Sequence, residues 1–149
     1  VTMTQKVRFQ KLDDRAVQPQ YGSAYAAGAD LYAVLDAPLT LAAGETALVH
    51  TGLAVEIPEG FVGLVCARSG LATKRGLAPA NKVGVIDADY RGEIMVALHN
   101  HGTLPQTIEH GERVAQLLLM PYLTAVYEEA ESLTNTDRGA GGFGSTGMK

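Results

Sequence analysis

From Lys6 to Leu123 the chain is a succession of short apolar or alternating runs, each cut off by glycine, proline, asparagine or aspartate. That rhythm suits many short strands rather than a bundle of helices. "KVRFQKL" (6–12) alternates, and so does "ADLYAVL" (29–35), where Ala29, Leu31, Ala33 and Leu35 share a face. "TALVHTGLAVEI" (46–57) holds two short β-rich runs and stops at the turn signal "PEG". "FVGLVCA" (61–67) and "RVAQLLLMPYL" (113–123) are apolar enough for core strands. "KVGVIDADYRGEIMVALHN" (82–100) reads as a β-hairpin turning between Asp89 and Gly92, and 124–130 fits either a strand or a short helix. Only "SGLATKRG" (69–76) looks helical, with Ser69 as N-cap and Gly76 as the stop. The expected fold class is all-β: a sandwich, jelly roll or barrel. No internal repeat or linker is visible, and the apolar pattern ends near Ser132. The organisation expected is one β domain over 1–131, followed by a flexible glycine-rich arm over 132–149.

Several functions are disfavoured by composition. A net charge of −4 without a Lys/Arg cluster argues against a duplex nucleic-acid binder, although a few placed arginines could still hold a small polyanion. No apolar stretch approaches the ~18 residues of a membrane span, and no signal peptide opens the chain, so the expected setting is the reducing cytoplasm. Val1 and Thr2, ahead of Met3, are expected to be an addition to the biological start. Cys66 is the single cysteine, which leaves no intrachain disulfide or multi-thiolate metal site; a buried, inert thiol is expected. His50, His99, His101 and His110 lack zinc-site spacing, and His99 with His101 supplies only two ligands on one strand face.

Four constellations could carry chemistry. In "CARSGLATKRG", Arg68, Ser69 and Gly70 offer a guanidinium, a hydroxyl and backbone N–H groups together, the parts of an anion site. The same residues could equally be a helix cap beside a surface ion pair. In "GVIDADYRGE", Asp87 and Asp89 lie two apart on a strand and share a face. Asp87 follows an apolar run and could be a partly buried general base or metal ligand, or else part of a polar hairpin tip, the reading that suits Asp89. Asp30, in "AGADLYA", sits among small and apolar residues and needs a partner, usually an arginine. "HGERVAQLLLMP" supplies Arg113, and Gln116 interrupts its apolar run, so that amide must be hydrogen-bonded to the fold or to a ligand. Finally, Gly139 to Thr146 reads G-x-x-x-x-G-S-T, the P-loop spacing. Ser145 stands where the lysine belongs, and no helix fits into the five residues after Gly144, so the P-loop reading fails.

Taken in order, AGADLYA, ARSGLA, NKVGVIDADYRGE, GERVAQL and RGAGGFGSTG resemble the five motifs of the trimeric dUTPase family, over residues 28 to 147. The resemblance implies a jelly-roll or distorted-barrel subunit and a homotrimer with three active sites at its interfaces. It implies hydrolysis of dUTP to dUMP and pyrophosphate, which limits uracil in DNA and supplies dUMP for dTMP synthesis. Mg²⁺ would be bound through the triphosphate and water, not directly by the protein. Asp87 would hold and deprotonate the water that attacks the α-phosphorus. Tyr90 would lie against the deoxyribose, leaving no room for a 2′-OH. Asn81 and the backbone of Val85, Ile86 and Met95 would read the uracil edge. Arg68, Ser69, Gly70 and Gln116 would hold the phosphates, with Asp30 and Arg113 in support, paired with each other. In the arm, Phe143 would stack on the uracil and Arg138 would reach the γ-phosphate. Gly144, Ser145 and Thr146 would offer donors to the phosphate chain of a neighbouring subunit's site.

Two other readings make different demands. A dCTP deaminase of the same superfamily needs a general base for attack at the ring C4, and 94–104 offers no candidate. A nucleotide-responsive regulator would be expected to carry extra surface segments or to lack the base, and neither is visible.

Overall fold

The computed structural model describes residues 3–147; Val1 and Thr2, and the last two residues of the arm, lie outside them. Among the described residues the elements run β1 (Arg8–Lys11), β2 (Gln20–Tyr21), β3 (Ala29–Tyr32), β4 (Leu39–Leu41), β5 (Thr46–Glu56), β6 (Phe61–Cys66), α1 (Ser69–Arg75), β7 (Leu77–Pro79), β8 (Gly84–Ile86), β9 (Glu93–Asn100), β10 (Gln106–Ile108) and β11 (Arg113–Pro121). Strands in the order β1-β5-β9-β7 form one sheet, β2-β3-β11-β6-β8 a second, and β10-β4 a small third; every pairing is antiparallel. The fold is all-β, as expected, and its sheets stay open rather than closing into a barrel.

The inner faces share one core. Leu31, Val49, Leu53, Leu77, Leu98, Ile108 and Val114 have no exposed surface, and each such side chain contributes about 1.5–3 kcal/mol of transfer free energy. Asn100 is equally buried and needs partners. Its amide nitrogen donates to the carbonyls of Leu41 (3.0 Å) and Leu104 (2.8 Å), and its oxygen accepts the Gly102 N–H.

Several expectations are corrected. The two runs in 46–57 are one strand, β5, whose register against β9 shifts between His50 and Ala54, while β1 pairs along its other edge from Leu53 to Glu56. The stretch 82–100 is not a paired hairpin. β8 pairs with β6 and β9 with β5 and β7, so the turn between them crosses from one sheet to the other. Residues 124–130 are neither strand nor helix, and Leu123, Val126 and Tyr127 are almost fully exposed. Arg68, not Ser69, occupies the N-cap of α1, and Cys66 is half-buried rather than buried. β2, β4, β7 and β10 are too short to leave a period in the sequence.

Candidate active site

Where β8 and β9 part, the two sheets leave a cleft of about 300 Å³, lined by Asn81, Val85, Ile86, Asp87, Tyr90 and Met95 among others. Its walls carry backbone groups that no strand has taken. The Ile94 carbonyl faces β5, where it accepts the Thr51 hydroxyl (2.6 Å), and the Ala97 carbonyl faces the other way, accepting the Ala80 N–H (2.7 Å). Successive residues of a strand aim their N–H and C=O to opposite sides. Met95, in phase with Ala97 but beyond the reach of the short β7, therefore turns both groups into the cleft. β8 is the last strand of its sheet and has a free edge as well. A flat ligand with donors and acceptors on its rim can replace the missing strand pairing.

Asp87 lies just past the end of β8, in the turn rather than on the strand, so the shared face expected for Asp87 and Asp89 does not arise. It is exposed, not partly buried, and among the described residues its carboxylate makes no hydrogen bond or ion pair. Tyr90 is fixed in the same turn. Its N–H donates to the Asp87 carbonyl (3.1 Å), its hydroxyl donates to the Glu93 carbonyl (2.7 Å), and its ring lies against Gly92.

A second cleft, of about 270 Å³, is lined by Gly28, Asp30, Arg68, Ser69, Gly70, Arg113 and Gln116 among others. Strand register builds it: Gln20, Asp30, Gln116 and Cys66 pair in one row across β2, β3, β11 and β6, and directly paired residues share a face. Asp30 is buried, and its carboxylate accepts Arg68 Nε at 2.8 Å and an Arg113 terminal nitrogen at 3.5 Å. The expected partner Arg113 is present, but Arg68 is nearer. Because Arg68 meets Asp30 through Nε, both of its terminal nitrogens are without a hydrogen bond among the described residues and can receive an anion. The Gln116 amide donates to the Ala67 carbonyl (2.8 Å), and its oxygen occupies the place where a Cβ on residue 28 would sit, so a side chain there would displace the amide. Ser69 and Gly70, at the start of α1, are exposed.

No residue lines both clefts, so one chain holds Asp87 and Arg68 in separate places. The described residues of the arm line neither. Among the described residues its hydrogen bonds close within 136–147, as in Arg138 Nε to the Gly141 carbonyl (2.7 Å) and Ser145 N–H to the Gly142 carbonyl (3.1 Å). Phe143 is wholly exposed, and Gly144, Ser145 and Thr146 are also at the surface. His99 meets Thr46 (2.6 Å) and the edge of the His101 ring. Partial desolvation pushes His101 below the ordinary imidazole value, and the neighbouring His99 and Lys82 add to the shift. Among the described residues no three His, Cys, Asp or Glu side chains converge as a metal cage. Sequence reading assigned no role to Glu93; the one signal for it is a charged residue directly ahead of an apolar strand.

The dUTPase family model matches residues 14–147. The chain is 49% identical over 144 residues to a deoxyuridine 5′-triphosphate nucleotidohydrolase of Desulfitobacterium hafniense, covering 96% of this chain and 95% of the relative. It is 46% identical over 149 residues to the protein of the same name in Rickettsia felis, covering 99% and 100%. Among solved structures, the dUTPase of Staphylococcus bacteriophage 80alpha with dUpNHpp superposes with a TM-score of 0.88 at 29% identity, covering 97% of this chain and all of that one.

Proposed function

The chain belongs to the dUTPase family and hydrolyses dUTP to dUMP, and from that premise we propose that its two clefts are the two halves of one active site, completed between copies of the chain. The observation that carries this reading is the split between β8 and β9, with an unpaired carboxylate at its mouth and the arginine cleft elsewhere on the same subunit.

Uracil presents acceptor, donor, acceptor along its pairing edge, whereas cytosine exchanges acceptor for donor at position 4. The open edges, with Asn81 and the backbone of Val85, Ile86 and Met95, read that pattern and leave a cytosine with mismatched groups, which is costly once water is excluded. Tyr90 lies against the deoxyribose and rejects a 2′-OH by collision. Asp87 accepts a proton from a bound water as its oxygen bonds to the α-phosphorus. The bond from that phosphorus to the α,β-bridging oxygen breaks, leaving dUMP and pyrophosphate. An aspartate and a tyrosine three residues apart, the spacing of Asp87 and Tyr90, are substituted in structures of the phage enzyme.

In the second cleft Arg68, Ser69, Gly70 and Gln116 hold the phosphates. Asp30 orients Arg68, and Arg113 keeps the carboxylate neutralised from its other side. Positioning and charge neutralisation are the main demands of such a reaction. Mg²⁺ fits as an ion carried by the triphosphate. The cleft's one carboxylate, Asp30, is already committed to two arginines, so the oxygens around the ion would come from phosphates and water. When bound, the ion neutralises charge on the phosphate chain. The arm closes over the nucleotide, with Phe143 on the base, Arg138 at the γ-phosphate, and Gly144, Ser145 and Thr146 donating to the phosphates. A homotrimer supplies three such sites, and it would also cover Leu123, Val126, Tyr127 and Leu133, which one chain leaves in water. Among the described residues no helix is long and apolar enough to cross a membrane, and a single half-buried thiol suits the cytoplasm.

The test is an assay of dUTP, UTP, dTTP and dCTP with Mg²⁺, read for both pyrophosphate and ammonia. Pyrophosphate from dUTP is expected at a kcat/KM about 100-fold or more above the other three. Equal turnover of dCTP and dUTP, or release of ammonia, would sink the reading.

A further inference from the structure

We propose that Glu93 is a positioning residue that holds Tyr90 at the height needed to reject ribonucleotides; the proposal rests on Tyr90 lying against the sugar. Glu93 is the first residue of β9, and its side chain turns across to β5 and is largely shielded from water. One carboxylate oxygen accepts the Gly52 N–H at 3.0 Å, and both oxygens lie 3.0 Å from His50 Nδ1. The main chain of the same residue holds the tyrosine, because the Glu93 carbonyl accepts the Tyr90 hydroxyl at 2.7 Å. A single residue is thus bonded to β5 through its side chain and to Tyr90 through its backbone.

The anchor on β5 is stiff. Gly52 sits where the register of β5 against β9 shifts, with φ of 68°, and a Cβ there would meet those of Ala16 and Asp13 at 2.9 and 3.0 Å. The Gly52 carbonyl accepts the Leu12 N–H (2.7 Å), which ties the residue whose N–H Glu93 uses to the segment that follows β1. Among the described residues the other hydrogen bonds of the turn close within the turn itself, and its one further tie to β5 is an ion pair between half-exposed side chains. β8 and β9 are unpaired across its mouth, and Arg91 donates to the carbonyls of Ala88 (2.6 Å) and Tyr90 (3.1 Å) within the turn and pairs with the half-buried Glu56 (3.5 Å). Tyr90 itself is 42% exposed, with much of its surface uncovered by packing. Rejecting a hydroxyl by collision needs a wall that does not give way, and a turn free to move by even a fraction of an ångström would admit it.

The experiment compares Glu93→Gln and Glu93→Ala with the full-length protein. kcat and KM are measured separately for dUTP and UTP, and thermal midpoints are recorded. Glutamine keeps an oxygen that can accept the Gly52 N–H, so Glu93→Gln should hold the dUTP/UTP ratio of kcat/KM within about threefold of the parent. Glu93→Ala should lower that ratio about tenfold or more, chiefly through faster UTP turnover relative to dUTP. A merely structural role would lower both activities together and leave the ratio alone. A folded Glu93→Ala protein with the parental ratio overturns the proposal, as does a Glu93→Gln protein as unselective as the alanine variant. Should Glu93→Ala not fold, Glu93→Asp, one methylene short of the Gly52 N–H, takes its place with the same expectations. Tyr90→Ala separates the two levels: unchanged selectivity there would overturn the sugar role of Tyr90 itself.

Discussion

Asp87→Asn is expected to lower kcat for dUTP about 10³-fold, within the range that removal of a general base brings, while KM changes little. Asparagine has the same shape but cannot take the proton from the attacking water. Stability should be untouched, because the carboxylate is exposed and has no partner among the described residues to lose. Asp89→Asn is the matched control. Asp89 lies two residues along the same turn but does not line the cleft between β8 and β9, so its activity should stay within about threefold of the parent. Pyrophosphate release, with a thermal melt of each protein, separates lost chemistry from lost fold. An Asp87→Asn protein with more than about a tenth of the parental kcat would remove Asp87 as the base.

Removing everything after Asp137 should cost about 10²-fold in kcat/KM for dUTP. The loss combines a charge-assisted contact from Arg138, worth about 1.5–3 kcal/mol, with stacking by Phe143, worth about 1–3 kcal/mol. Ordering a glycine-rich segment costs conformational entropy, which holds the net effect below the sum of the contacts. The body should melt at the same temperature without the arm, since the arm's hydrogen bonds among the described residues all close within 136–147. Unchanged kcat/KM in the shortened protein would show that the arm is not part of the site.

Much of this was legible in the chain, for identifiable reasons. β6 and β11 are long and apolar enough to declare themselves, and Gly76 marks the end of the helix. Asp30 announced its need for an arginine, because a buried carboxylate cannot stand alone. Which arginine it takes was not legible. Arg113 is on the adjoining strand β11, whereas Arg68, the nearer, lies just past the end of β6, two strands away in the sheet. The split between β8 and β9 was hidden for a related reason. Two strands joined by a tight turn look like a hairpin locally, and only their outer partners, β6 on one side and β5 on the other, pull them into different sheets. Glu93 was invisible as well, since its partners Gly52 and His50 lie some forty residues away in the sequence. The motifs gave residue types and order, whereas pairing across sheets decides which of them face one another.

The division of the site between subunits is the central claim, and complementation tests it most directly. Asp87→Asn chains and Arg68→Ala chains, each inactive alone, are co-expressed with different tags, and assemblies carrying both tags are isolated. If the β8–β9 cleft of one copy works with the arginine cleft of another, one site in each dual-tagged trimer combines two intact clefts, and about a third of parental turnover returns. Mixed assemblies as inactive as either parent would contradict the account, because both clefts would then have to serve a site within one chain.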